Sequence, residues 1–305
     1  MSSSEISHSS SLALIGSLQV IVASISWGTL GIFTTYLHQL GFDSVQIAIL
    51  RIVTSAVILL SLLPSLWSTL KQLTPVEIIQ MAVQSLVGVL GMTLSYFMAV
   101  NYVGAGIAVS LLYMAPVFSL GLAYVLLKEQ ITTKALILAV VAVLGVMLTM
   151  MGNTVKFNWG IVFGLLAGLF YSLFGILGKK MMHKNYPSNL VFFSSVMISA
   201  MVLLCLPKTY HTYAMLLNMP IKTWLWVLGL TFLGTIIPFF LYMSALHKLP
   251  ATKVSVFTVF EPFTAIVLSI VLLHQNLNAT QYVGMGLILF ATLANAMPAK
   301  NNAKT

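Results

Sequence analysis

Acidic side chains are almost missing from this chain. Among 305 residues only Glu5, Asp43, Glu77, Glu129 and Glu261 carry a carboxylate, and charged residues of both signs make up 6%. A soluble domain has roughly 25%, so a water-soluble fold is excluded for want of polar surface. The single cysteine, Cys205, excludes an internal disulfide, and within an apolar run its expected role is packing. No HExxH metal pair, GxSxG elbow or phosphate-binding P-loop is present. The six histidines are scattered and lack metal-ligand spacing. No metal or cofactor is therefore expected, and direct coupling to ATP is excluded. An intramembrane enzyme would need a deep carboxylate dyad or a comparable constellation, and none is present; no enzymatic activity is expected.

What the chain has instead is apolar length. Hydrophobic residues make up 59%. The runs are continuous and rich in Leu, Ile, Met and Gly, without the alternation of a membrane barrel. The fold class expected is an all-α membrane protein of about ten helices, each roughly 20 residues, the length that crosses a bilayer core. They are placed near 14–36, 44–66, 76–98, 104–127, 133–151, 158–178, 188–206, 222–245, 251–273 and 279–297. Residues 1–13 are polar and read as a loose tail. They lack the basic start of a signal peptide, so the first run is expected to be a true span.

The net charge of +9 is distributed by side, which argues against nucleic acid as a partner. With the N-terminus inside, Lys71, Lys128, Lys134, Lys179, Lys180, Lys184, Lys248, Lys253, Lys300 and Lys304 fall on one face, against Lys156, Lys208 and Lys222 on the other. Positive residues mark the cytoplasmic side and contact anionic lipid. Both termini are expected in the cytoplasm of a bacterial-type cell, the protein being multi-pass in its inner membrane.

The chain also repeats itself. Pro262 stands 146 residues after Pro116, and at that offset Gly88 meets Gly234, Tyr96 meets Tyr242, Ala99 meets Ala245, Ala105 meets Ala251, and Val125-Leu126-Leu127 meets Val271-Leu272-Leu273. Matching leucines are common in an apolar chain; a Gly, Tyr and Pro in one register are not. The domains read as a tail over 1–13, a first five-helix repeat over 14–151, a second over 158–297 and a tail over 298–305. Five crossings per copy turn the second upside down, giving inverted repeats, the arrangement of many secondary transporters.

Two stretches carry a resemblance. Ala99-Val-Asn-Tyr-Val-Gly-Ala-Gly through Pro116 to Lys128-Glu129 resembles the fourth span of the drug/metabolite transporter superfamily, EamA type. Ala245-Leu-His-Lys-Leu-Pro-Ala through Glu261-Pro262 resembles its ninth, and Trp27-Gly28 and Leu50-Arg51 fit its first two spans. The likeness runs from about 14 to 297 and departs at His274-Gln275-Asn276, where the family often has an acidic residue. It implies two five-helix repeats around a central cavity and movement of small metabolites, often amino acids or drugs, frequently outward.

Ionisable groups inside spans are the sharpest functional signals. Glu261 lies near the midplane and suits a cationic group or a proton. Arg51, two turns into the second helix, suits a substrate carboxylate; a structural pairing or a reach to the headgroups explains it as well. Ser255, Thr258 and Glu261 form a polar stripe at three-residue spacing. Trp27 and Tyr171, repeat mates at mid-span, can stack on substrate, although packing accounts for them equally. Tyr113 raises a conflict. Its counterpart, Val259, is about 200° from Glu261 on an ideal helix, so Tyr113 and Glu261 should not share one face. Tyr96 and Tyr242 are expected toward opposite faces as paired gates, or else as interfacial anchors. Pro116, Pro238 and Pro262 are candidate hinges.

These residues point to a secondary transporter of a small organic metabolite, an amino acid or related amphipathic compound, moved outward by alternating access. A multidrug efflux carrier of the same fold is the alternative. Expected partners are that substrate and membrane lipids, with a homodimer left open. The lysine bias makes a direct prediction: a C-terminal tag after Thr305 is shielded from an impermeant reagent in intact cells, while a cysteine beside Lys208 is labelled. The reverse pattern would overturn the orientation.

Overall fold

The computed structural model describes residues 3–122, 124–125, 133–150, 158–182, 187–246, 248, 257–258 and 260–296, and these are helical, without strands. The first span joins α1 (Ser3–Gly28) to α2 (Leu30–Gln39), and the second joins α3 (Ser44–Leu59) through a 3-10 turn to α4 (Leu63–Leu70). The third runs from α5 (Pro75–Val83) through a π-helical stretch, Gln84–Gly91, into α6 (Met92–Val103). The fourth is α7 (Ala105–Leu112) followed by α8 (Ala115–Leu122); the fifth is α9 (Thr133–Met150) and the sixth α10 (Trp159–Met182). The seventh, α11 (Ser188–Leu204), is followed by α12 (Pro207–Leu217). The eighth is α13 (Ile221–Thr231), a π stretch Phe232–Ile236, and α14 (Ile237–Leu246). The ninth ends in α15 (Phe260–Val271), and the tenth is α16 (Ala279–Ala296). Five of these are long and apolar enough to cross a bilayer, and the rest are shorter apolar helices or the bent pair α11–α12.

Helix starts follow local chemistry. Asp43 caps α3, accepting from the Val45 and Gln46 amides at 2.9 and 3.0 Å, while Gln46 Oε1 accepts from the Asp43 amide at 2.9 Å. Thr74 and Glu77 form the same reciprocal box before α5, with Pro75 in its first turn. Each box satisfies amides that the helix cannot. Asp43 also pairs with Lys208 of α12 at 2.6 Å. Partial burial alone would raise its pKa, but the Lys208 bond and the two amides outweigh it and hold the carboxyl below its ordinary value.

The packing shows the duplication. The third span lies on the sixth and the first on the eighth; the sixth lies along the fourth and the first along the ninth. The second faces the seventh, the fourth the ninth, and the fifth the tenth. Exchanging each span for the one five places on leaves this pattern unchanged, as a two-fold axis requires, and five crossings per copy invert one against the other. Register agrees: α9 and α16 have equal length and start at Thr133 and Ala279, and the two π stretches surround Gly88 and Gly234, both pairs 146 residues apart. In the first two spans of each half the offset is 144, since α3 starts at Ser44 and α11 at Ser188.

One core gathers Leu50, Phe97, Ala108, Leu111, Ala167 and Leu230, and a second gathers Ile49, Ile52, Met81, Phe193 and Phe239. Large apolar side chains such as Val57, Ile79, Leu136, Leu225 and Val283 remain exposed, which water would penalise and lipid does not.

The structure departs from the sequence expectation in four places. Residues 3–13, expected as a loose tail, are helical and run into the first span as part of α1. The fourth span, expected unbroken over 104–127, is interrupted by a turn at Tyr113–Met114. After Leu204 the chain bends by 92° into α12, a helix the sequence reading did not place because its Lys, His, Tyr and Thr dilute the apolar signal. Cys205 caps α11 at that bend and is exposed, so it is not a packing residue.

The interruption is covered by Gly168 of α10. A Cβ there would lie 2.9 Å from the Leu112 carbonyl and 3.1 Å from that of Leu111, both backbone atoms. Gly168→Val should therefore destabilise the fold by about 1–3 kcal/mol, read as a lowered melting midpoint in detergent. An unchanged midpoint would show that the break yields freely.

Candidate functional site

The two interruptions of the fourth and ninth spans meet at the centre. Tyr113 sits in the first, and Glu261 is the second residue of α15, just after the turn at Thr258. The Tyr113 hydroxyl donates to Glu261 Oε2 at 2.7 Å, and both side chains are buried. The expected conflict between them does not arise. The 200° argument assumed continuous helices, and the turns re-aim both side chains. The same turn interrupts the stripe: Thr258 precedes α15 rather than continuing its face, and Ser255 lies outside the described residues.

The interruptions also explain the carboxylate's position. Glu261 is in the first turn of α15, where the helix dipole favours negative charge; its own amide bonds the Thr258 carbonyl at 3.0 Å. Gly28 of α1 lets the first span press on this turn, because a Cβ there would come within 2.8 Å of the Glu261 carbonyl. On the other copy Ser172 donates to the Ala115 carbonyl at 2.6 Å. Each broken end is thus covered by the first span of the opposite repeat.

Arg51 is the second buried charge. Its Nε donates to Thr235 at 2.9 Å, Nη1 to Thr93 at 3.1 Å, and Nη2 to the Gly234 carbonyl at 3.2 Å. Its guanidinium lies 5.7 Å from the centre of the Phe97 ring. Three of the five N–H donors of a guanidinium are thereby engaged. Arg51 and Glu261 interact electrostatically, with no direct ion pair between them among the described contacts.

Aromatic rings complete the cluster. Tyr96, Tyr171 and Tyr242 all lie within electrostatic range of Glu261. Trp27 packs on Tyr242 with ring centres 5.5 Å apart. Tyr96 and Tyr242 therefore belong to one central group around Glu261 rather than to two opposite mouths. Trp27, Tyr171 and Tyr242 keep partial accessibility. A small open cleft lies beside Tyr113, lined by Val117, Ala139, Ala142, Ala291 and Thr292 among others. Among the described residues no group of His, Cys, Asp and Glu is arranged for a metal ion.

Pro116 and Pro262 fall in the first turns of α8 and α15, and Pro238 in that of α14, each just after an interruption or a π stretch. For Pro116 and Pro262 a missing N–H there costs no helical bond, whereas Pro238 lies within a continuous span and the Gly234 carbonyl four residues before it accepts from Arg51 instead. Sequence reasoning missed Thr93, Phe97 and Thr235, which hold Arg51, because nothing in an apolar span marks a threonine as a partner. It also missed Gln275. On the side bearing the connection between the third and fourth spans, the Gly106 amide donates to Gln275 Oε1 and Gln275 Nε2 donates to the Val103 carbonyl, both at 3.2 Å. Gln275 stands at the departure from the family pattern noted above.

Comparison with known proteins agrees with this architecture. The model of the EamA-like transporter family matches residues 14–151 and again 158–297. The chain belongs to the EamA-like transporter family. An uncharacterized transporter of Clostridium kluyveri is 25% identical over 299 residues, 92% of each chain. Another, from Archaeoglobus fulgidus, is 28% identical over 65% of this chain and 70% of its own. A protein of Rickettsia felis named S-adenosylmethionine uptake transporter is 25% identical over 59% of each. A solved crystal structure superposes with a TM-score of 0.60 at 16% identity, covering 93% of this chain and 96% of that one; it shows the shared fold.

The ties of Arg51 make a prediction. Arg51→Lys keeps the charge, but a single ammonium cannot span Thr235, Thr93 and the Gly234 carbonyl together. Bonds to charged groups contribute about 1.5–3 kcal/mol each, so the variant should melt earlier in detergent. A wild-type midpoint would limit Arg51 to its charge.

Proposed function

We propose that this EamA-family protein exports a small organic metabolite, an amino acid or related amphipathic compound carrying a cationic group, by alternating access. The observation that carries the reading is the Tyr113–Glu261 hydrogen bond at the meeting point of two broken spans, with Arg51 within electrostatic reach. A substrate ammonium would replace the Tyr113 hydroxyl at Glu261. A carboxylate would take the uncommitted donors of Arg51. Trp27, Tyr171 and Tyr242 would bury the apolar part and attract a cation over their rings. Thr258 contributes a hydroxyl beside the carboxylate's turn. A pocket of mostly apolar walls with few polar anchors suits an organic molecule better than an inorganic ion. The Rickettsia relative is named for uptake of an amino-acid derivative, which supports the substrate class. We assign the direction as outward, and the site as lying within the inner membrane with both termini cytoplasmic. No catalytic chemistry is assigned.

A proton and a cationic group would compete for Glu261, which couples the two fluxes. Glu261→Gln keeps the shape and the hydrogen bond to Tyr113 and fixes the neutral state. In proteoliposomes loaded with a panel of radiolabelled amino acids and amines, the native protein should transport at least one of them with a pH-dependent rate. Correctly inserted Glu261→Gln should lose that pH dependence. Saturable transport of an inorganic ion with no response to the panel, or an unchanged pH profile in the variant, would overturn the reading.

A further inference from the structure

The two repeats are alike in sequence at four hydroxyl positions, yet the structure uses them differently. In the third and seventh spans Ser85 Oγ and Ser199 Oγ lie 2.7 Å apart. Ser85 Oγ donates to the Ser195 carbonyl, and the single proton of Ser199 Oγ goes either to Ser85 Oγ or to the Ser85 carbonyl at 3.2 Å. The repeat offsets fix the counterparts of this pair. Thr231 stands 146 residues after Ser85, and Ser55 stands 144 residues before Ser199. The second match is local as well: Ser55-Ala56 and Ser199-Ala200 follow helix starts at Ser44 and Ser188 by the same distance. Ser55 and Thr231 lie on the second and eighth spans, which pack together as the seventh and third do. Both are fully buried, and neither hydroxyl has a hydrogen-bond partner among the described residues.

A buried hydroxyl without a partner costs about 1–3 kcal/mol, and such groups are rare in folded proteins. Among the described residues the side chains of Gln84 and Gln281 also leave buried polar atoms unpaired, but the two unpartnered hydroxyls, Ser55 and Thr231, fall at the places where the other repeat has a bonded pair. Packing defects have no reason to respect a pseudo-symmetry axis. A conformational difference between the halves does, because alternating access by inverted repeats exchanges the conformations of the two halves. We propose that Ser85–Ser199 and Ser55–Thr231 are alternating latches: the first closes in the state seen here, and the second closes, with the first open, in the opposite-facing state. Each state then holds one bonded and one open pair. The two states stay near in energy, and a modest differential affinity suffices to shift the balance. The counterpart of Arg51 is Ser195, so the halves are not equivalent. In this state the bonds from Arg51 to Thr235 and Gly234 tie the second span to the eighth while their hydroxyls stand apart.

The inference rests on alternating access but on no particular substrate, and its test needs no ligand. In a Cys205→Ser background, one protein carries Ser85→Cys with Ser199→Cys, and another Ser55→Cys with Thr231→Cys. Cross-linking by a membrane-permeant oxidant in proteoliposomes is followed by mass spectrometry. The first pair should cross-link rapidly. The second should cross-link slowly, at the rate its closed state is visited. Adding Ser85→Ala and Ser199→Ala to the second protein removes the competing latch and should raise its rate about fivefold, the factor expected for one net hydrogen bond. Ser85→Thr with Ser199→Thr, which retain the hydroxyls, should leave it near the starting value. If the four-site protein fails to insert, Ser199→Ala alone serves as the same test. A second pair that cross-links as fast as the first in the unmodified background would overturn the proposal. So would a rate indifferent to loss of the Ser85 and Ser199 hydroxyls.

Discussion

The structure depends on satisfying broken backbone in the middle of a bilayer. An interrupted helix leaves amides and carbonyls that no water or lipid tail can bond. This protein interrupts two spans at their centres and must cover the exposed groups from within. Gly28 brings α1 against the first turn of α15, Gly168 brings α10 against the turn after α7, and Ser172 bonds the Ala115 carbonyl. With the breaks covered, Glu261 gains the first turn of a helix and Tyr113 gains a path across the two-fold axis to reach it. Without the breaks, the symmetry would hold these side chains apart.

Much of this was legible in the sequence because rare residues mark it. In a chain with five carboxylates, Glu261 next to Pro262 stands out, and matching Gly, Tyr and Pro positions reveal a duplication that leucines would hide. Class, repeat and family followed from those signals. The site's connections did not. Whether a span is continuous at Tyr113 depends on a glycine 55 residues later in the chain, and helical-wheel reasoning cannot see it. The anchoring of Arg51 by Thr93 and Thr235 was equally silent, since threonines in apolar spans ordinarily bond their own helix, as Thr34 does to the Leu30 carbonyl. The stripe through Ser255 and Thr258 was drawn on an ideal helix; Thr258 stands in a turn before α15, and Ser255 lies outside the described residues.

Symmetry and function pull in different directions here. The frame is duplicated, but the charges are not: Glu261 faces Ala115 across the repeat, Arg51 faces Ser195, and Gln275 faces Glu129. A two-fold frame makes two opposite conformations similar in energy. Single-copy charges then give the centre of the molecule a polarity that the frame lacks.

The right-angle turn after Cys205 has a mechanical consequence. The corresponding chain in the first repeat, α4, extends its span, whereas α12 leaves its span at 92°. Tyr213 of α12 bonds Thr54 at 2.9 Å, and Lys208 bonds Asp43, so this helix is fastened to the body. Eleven residues lying flat occupy roughly 160 Å², taking 1.5 Å of rise per residue and a width of about 10 Å. The first repeat has no such area at the corresponding end of its second span, so the two ends of the molecule would differ in cross-section. A helix of this kind held at one membrane surface would make the insertion energy depend on curvature and lateral pressure.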